Sequence, residues 1–421
     1  MTPAVIPDNP LAPVSGSERI VALDIIRALA LFGVILMNLP SLAGNSYLPG
    51  HGVSANAWEA WGWGISKAFL AAKAMSNFSM LFAMGLFIQF DRAAARGMGR
   101  ASFAFRRLGG LLIIGLAHNV LIFDKDILVT YALLGFLFAV LWGVRTRTLV
   151  LVGIIGLVLG ESLPLLIKAF HLDPRWATSA WVEANAAARH QIFGQTGTWL
   201  QAVSHRFAVM THGSFGAFTL ESLGYMLPMF MTGAVIWRSG LMQDPEAHLT
   251  TIRRIFHGSF WIGLLLNFAI RLPLGLIPTT WGKVAEGVPL ILFKDIAVYS
   301  LALGYLMGML LLLRKPAWKQ RFAFIMPMGR MALTNYLIHS LLLSWVFYHH
   351  GLGLWGRTGF RAQFLLTAAL FACACGWSHW WLSRFRFGPA EWLWRSMTYG
   401  IWQPFRREPP PPTVESASEM A

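Results

Sequence analysis

The stretch Ile20–Leu42 reads IVALDIIRALALFGVILMNLPSL, an apolar run broken by one carboxylate, Asp24, and one guanidinium, Arg27. At 1.5 Å of rise per residue, a helix of this length crosses a hydrocarbon core of about 30 Å. Ionisable groups at membrane depth are costly unless paired or hydrated, so these two are functional candidates from the outset. Their three-residue spacing places both on one helical face, where they can form an ion pair. A purely structural pair near the cytoplasmic end of the span is the competing reading. Asn38, further along, suits either an interhelical hydrogen bond or a substrate contact.

Nine more apolar runs follow, at Ile65–Phe90, Leu108–Phe123, Ile127–Val144, Thr148–Ile167, Leu220–Trp237, Ile255–Leu276, Val288–Leu313, Ala332–Phe347 and Phe364–Leu382. The expected fold is therefore all-α, a polytopic transmembrane helix bundle of about ten spans. Composition agrees. Of 421 residues, 56% are hydrophobic and 13% charged, against about 25% charged in soluble domains. Trp58, Trp61, Trp63, Trp377, Trp380 and Trp381 fall near the ends of runs, where amphipathic rings favour the headgroup region.

The formal charge of +15 does not form a single basic stripe, which argues against nucleic acid as a partner. The basic residues instead collect in alternate connections: Arg92, Arg96, Arg100, Arg106 and Arg107; Arg145 and Arg147; Arg238, Arg253 and Arg254; Arg314, Lys315, Lys319, Arg321 and Arg330. Positive charge marks cytoplasmic loops, so both termini are expected inside. Met1–Ser17 has no basic region ahead of an apolar one and does not read as a cleaved signal peptide. The resulting division is a cytoplasmic segment 1–18, a five-helix region 19–167, an extracytoplasmic amphipathic excursion 168–212, a second five-helix region 213–405, and a proline-rich disordered tail 406–421.

Lys73, inside the second run, is placed to bind an anionic group or to snorkel toward the interface. The densest cluster is GLAHNVLIFDKDILVTYALLG, in which His118 ends the third run and Asp124 and Asp126 sit in the tight connection to the fourth. A carboxylate beside an imidazole holds it in one tautomer as a general base for a hydroxyl or amine. The alternative is a connection held by polar contacts. The cluster supplies too few ligands for a metal site, and Cys373 and Cys375 lack partners at metal spacing. In the second half, Arg330, Asn335, Tyr336 and His339 share one helix, followed by His379, Glu391 and Arg395. Arg330 and Arg395 lie where phosphates could be held, although loop topology alone also explains them. No phosphate-binding glycine loop, zinc-protease helix or nucleophile elbow is present.

Four ordered blocks carry a resemblance. They are RIVALDIIRALALFGVILMNL (Arg19–Leu39), Lys73 with SMLFAMG, RRLGGLLIIGLAHNVLIFDKDILVTYALLG, and the C-terminal set GRMALTNYLIHSLL, HHGLGLWG and GPAEWLWRSMTYG. Together they resemble the YeiB-like family, membrane proteins carrying the domain of unknown function 418, over nearly the whole chain. Ala28 stands where the family has glycine, Lys125 where glycine precedes the aspartate matching Asp126, and His339 where glutamine is common.

That family is in turn similar to the heparan-alpha-glucosaminide N-acetyltransferase group of transmembrane acyltransferases. The resemblance implies a multi-pass protein of the bacterial cytoplasmic membrane that moves an acyl group from cytoplasmic acyl-CoA to an extracytoplasmic hydroxyl or amine, often of a carbohydrate acceptor. It implies a catalytic set of His118, Asp126, Asp24 and Arg27, with Asn38, Lys73, Arg330, Asn335, Tyr336, Glu391 and Arg395 contacting substrate or donor. Two alternatives remain: a small-solute transporter using Asp24, Lys73 and His118 as a polar path, and a non-catalytic membrane subunit. Gly109, Gly110 and Gly115 permit close packing within one chain or in a homo-oligomer.

Overall fold

The computed structural model describes residues 20–47, 57–95, 97–169, 179–212, 214–271 and 288–407. Every regular element among them is helical. The first half comprises α1 (Val21–Leu42), α2 (Ala57–Phe69), α3 (Ala71–Ala95), α4 (Arg100–Leu121), α5 (Leu128–Leu141) and α6 (Thr146–Ala169). Then come α7 (Ser179–Arg189), a π-helical turn (His190–Thr196) and α8 (Trp199–Thr211). The second half holds α9 (Ser214–Arg238), α10 (Leu249–Leu266), α11 (Val288–Leu313), α12 (Pro316–Ala323), α13 (Met326–Arg330), α14 (Ala332–Phe347), α15 (Phe360–Arg384) and α16 (Pro389–Tyr399).

Among the described residues, five helical stretches are long and apolar enough to cross a membrane: Val21–Leu42, Ala57–Ala95, Ala101–Leu121, Phe293–Leu313 and Phe360–Arg384. Shorter apolar helices occupy Leu128–Leu141, Thr146–Gly160 and Ala332–Phe347. Large apolar side chains face outward, among them Leu151, Ile154, Ile155 and Leu159 on α6 and Leu341, Leu342 and Trp345 on α14. Such an outer surface suits contact with lipid.

In lipid, helices associate through close packing, and small residues bring backbones together. α6 and α9 run antiparallel with Gly153 against Met231, Gly156 against Leu227 and Gly160 against Gly224. α10 and α11 repeat the arrangement, with Gly263 on the Leu301 backbone and Gly304 on Phe260. Of the three glycines noted on α4, Gly115 packs on the Leu128–Val129 backbone of α5 and Gly110 on Met397 and Trp394. Gly109 meets nothing within 4 Å among the described residues.

The apolar run Ile65–Phe90 is broken at Leu70, between α2 and α3. Carbonyls left over at such a break need new donors. Lys73 Nζ donates to the Lys67 carbonyl at 3.2 Å, and the Tyr305 hydroxyl donates to the Phe69 carbonyl at 3.0 Å.

The described part of the excursion, from residue 179, is helical, with a capping box in which Thr198 Oγ1 accepts from Gln201 N and Gln201 Oε1 accepts from Thr198 N. Lys168 belongs to α6. At the other end of the chain, Arg406 and Arg407, assigned to a disordered tail by composition, are ordered: Phe385 and Arg406 form an isolated bridge, and Arg407 N donates to Arg384 O. Segment 1–18 and residues 408–421 lie outside the described residues.

Candidate functional site

α4 and α5 are joined by a tight turn that presents His118 and Asp126 to each other. His118 Nδ1 stands 3.1 Å from Asp126 Oδ1, with both side chains fully enclosed. The pair is close but off the line of an ideal hydrogen bond, and His118 Nε2 has no hydrogen-bond partner among the described residues. Asp126 Oδ1 also accepts the Tyr336 hydroxyl at 2.8 Å, and Oδ2 accepts Leu128 N at 3.1 Å. The Asp126 carboxylate thus joins the first turn of α5 to α14. The His118 and Tyr336 rings lie 5.2 Å apart.

Asp124 does not join this group. Its carboxylate pairs with Arg189 of α7, while its backbone carbonyl accepts from Asn119 Nδ2 at 3.0 Å. The two aspartates face different partners because they are two residues apart on a turn.

Tyr336 also borders a cavity of about 180 Å³. Its walls are largely apolar and aromatic, including Leu31, Val34, Phe78, Phe82, Leu86, Leu111, Leu128 and Tyr131. Four arginines from four helices reach it: Arg27 of α1, Arg107 of α4, Arg330 of α13 and Arg395 of α16. All four belong to the same end of the cavity. Gly329 rests on Asp24 beside Arg27, Glu391 binds the start of α14 just past Arg330, and Arg107 lies against Trp394, the neighbour of Arg395.

Close approach makes this convergence possible. A Cβ at Gly329 would sit 1.8 Å from the Asp24 carbonyl, so only glycine lets α13 rest on α1 beside Arg27. Arg27 Nη1 donates to Asp24 Oδ1 at 3.0 Å, as the spacing predicts. The Arg107 guanidinium lies 3.8 Å from the Trp394 ring centroid, and Trp394 Nε1 donates to the Arg107 carbonyl at 2.7 Å. Arg395 stacks over Phe387.

Glu391, the one carboxylate among the described residues that line the cavity, has a structural task. Oε1 accepts from Leu333 N at 2.7 Å and Thr334 N at 3.1 Å, and Oε2 accepts from Thr334 Oγ1 at 2.5 Å. Glu391 of α16 therefore caps the N-terminus of α14, where the helix dipole favours negative charge.

The structure brings Arg27, Arg330, Tyr336, Glu391 and Arg395 to the cavity, and joins His118 and Asp126 to it through Tyr336. It places Asn38, Lys73 and Asn335 elsewhere. Asn335 Nδ2 donates to Met328 O and Ser378 Oγ, tying α13 and α15 to α14. Lys73 is fully buried at the α2–α3 break. Asn38 is half-buried and away from the cavity wall. Sequence reading missed Arg107 as a cavity residue, since it counted among loop charges, and missed Tyr131 and Trp394 altogether. Among the described residues, no cluster of His, Cys, Asp or Glu could hold a metal ion.

A helical bundle with an apolar outer surface and an internal cavity ringed by arginines defines a membrane protein. The family described as "Protein of unknown function (DUF418)" matches residues 236–401. The chain is 31% identical to "Uncharacterized protein YxaH" of Bacillus subtilis, over 94% of this chain and 98% of that one. It is 28% identical to "Uncharacterized protein YeiB" of Escherichia coli, over 90% of this chain and 96% of that one. The chain belongs to this family. No solved structure matches it.

Proposed function

We propose that the chain is a multi-pass protein of the bacterial cytoplasmic membrane that transfers an acyl group from cytoplasmic acyl-CoA to an extracytoplasmic hydroxyl or amine, in particular of a carbohydrate. One observation carries this reading. Tyr336 forms the wall between an arginine-ringed apolar cavity and the His118–Asp126 pair, bordering the first and bonded to the second.

Positive loop charge assigns the arginine end to the cytoplasm and His118 to the outer leaflet. Arg27, Arg107, Arg330 and Arg395 suit the phosphates of the donor, because guanidinium groups offer planar, charge-assisted donors. The apolar stretch suits the thioester arm. A volume of about 180 Å³ holds the reacting end of such a donor and leaves its nucleotide at the mouth.

In the transfer, His118 Nε2, the nitrogen away from Asp126, takes the proton of the acceptor hydroxyl or amine. The acceptor oxygen or nitrogen bonds to the thioester carbonyl carbon, the carbon–sulfur bond breaks, and the CoA thiolate takes up the proton from the imidazolium. Asp126 stabilises that imidazolium and holds its tautomer. Tyr336 keeps Asp126 in place.

The test is equilibrium binding and turnover of labelled acetyl-CoA and longer acyl-CoAs by the purified protein. Wild type binds and slowly hydrolyses the thioester, and His118→Ala binds but does not turn over. Arg330→Gln and Arg395→Gln each weaken binding roughly 10- to 100-fold, the cost of about 1.5–3 kcal/mol for a lost charged hydrogen bond. Failure of the wild type to bind any acyl-CoA overturns the proposal. Uptake of a solute by proteoliposomes without CoA would install the transporter reading in its place.

A further inference from the structure

The turn that carries His118 and Asp126 is gripped from outside by two buried arginines of the excursion. Arg206 of α8 is 1% exposed, and its Nη1 donates to the carbonyls of Val120 and Leu121 at 3.3 and 3.1 Å. These carbonyls belong to the last turn of α4, just past His118, where a helix lacks internal donors and favours a cation. Arg189 of α7 is 5% exposed and pairs with Asp124, two residues before Asp126.

The two arginines share a scaffold. Phe193, in the π-helical turn between them, lies under both guanidinium groups, 5.9 Å from Arg189 and 5.2 Å from Arg206. Phe193 in turn packs on Tyr348, and its carbonyl accepts from His349 N at 2.7 Å, anchoring the excursion beyond the end of α14. Burying a guanidinium is costly, and nothing about solubility requires it here. Both guanidinium groups hold the segment between its two reactive residues, and Arg206 also lies over the Tyr348 ring.

We infer that the α7–α8 segment is a clamp that positions the His118–Asp126 pair, with Arg206 and Arg189 as positioning residues. The inference rests on the acyl-transfer reading only for its effect on turnover; the placement of His118 stands apart from it.

The experiment uses the full-length protein in detergent with variants Arg206→Met, Arg206→Lys and Arg189→Met. Modification of His118 by diethylpyrocarbonate is followed by mass spectrometry, next to thermal unfolding and acyl-CoA kinetics. The clamp predicts that Arg206→Met and Arg189→Met remain folded and raise the His118 modification rate at least fivefold, with Arg206→Lys returning it toward wild type. It also predicts a kcat at least tenfold lower with an unchanged KM for acyl-CoA, since the donor arginines lie at the other end of the cavity. If Arg206→Met does not fold, Arg206→Lys and Arg189→Met decide the matter by the same rate. An unchanged His118 modification rate in folded variants overturns the clamp, even where wild type turns over acyl-CoA. A raised rate in a protein that binds no acyl-CoA sustains the clamp and removes the acyltransferase reading alone.

Discussion

The Tyr336 hydroxyl donates at 2.8 Å to Asp126 Oδ1, the same oxygen that stands 3.1 Å from His118 Nδ1. A residue of α14, more than two hundred positions along the chain, thus completes a pair set up by the α4–α5 turn. Removing the donor leaves a buried carboxylate oxygen short of a partner. Tyr336→Phe is therefore expected to cost about 1–3 kcal/mol, read as a lower thermal midpoint in detergent, and to lower acyl-CoA turnover. An unchanged midpoint would show that Asp126 does not depend on Tyr336.

Gly329→Ala tests the approach of α13 to α1. The new methyl would fall 1.8 Å from the Asp24 carbonyl, and backbone cannot yield as a flexible side chain does. Overpacking of this kind costs typically 1–3 kcal/mol or more. The arginines on both sides, Arg27 and Arg330, move apart with it. The expected result is a lower thermal midpoint together with weaker acyl-CoA binding, and a variant with wild-type values in both would contradict the tight contact.

His205 on α8 makes the excursion sensitive to pH. Burial first, then the positive charges of Arg189 and Arg206, lower its imidazole from 6.5 to about 4. The opened segment takes up a proton near pH 6.5, whereas the packed one resists until about pH 4. Packing of the excursion is therefore strongest above pH 6.5 and is lost progressively as pH falls toward 4. Hydrogen exchange of α8 amides, corrected for intrinsic rates, should show protection declining across that window, and His205→Gln should flatten the decline. A decline that persists in His205→Gln would place the titrating group elsewhere.

Much of the site was legible because its parts are local. Asp24 and Arg27 pair at the spacing of one helical turn, and His118 and Asp126 meet because eight residues of tight turn cannot carry them far apart. Asp124 was equally close in sequence, yet it faces Arg189 of a helix that composition marks only as polar. Lys73 read as either an anion site or a lysine snorkelling to the interface. Its ammonium instead bonds the Lys67 carbonyl at a helix break that an unbroken apolar run does not reveal. Arg107 was hidden among loop charges, since its burial against Trp394 and the cavity, which separates it from the exposed Arg106, leaves no mark in the sequence.

The sequence alone determined the class of the molecule. Long apolar runs with few charges leave the backbone no solvent but itself, so the segments must be helices, and their outward side chains must meet lipid. It also determined the local chemistry of one helical face and one tight turn. Tertiary structure decided which distant residues share a cavity. Four arginines, two tyrosines and a capping glutamate converge there from six helices. Such convergence depends on interhelical contacts such as Gly329 on Asp24, which carry no periodic signal along the chain. It likewise decided that the polar excursion returns two buried arginines to the His118 turn. Charge pairing across that distance is set by packing, and spacing in sequence does not encode it.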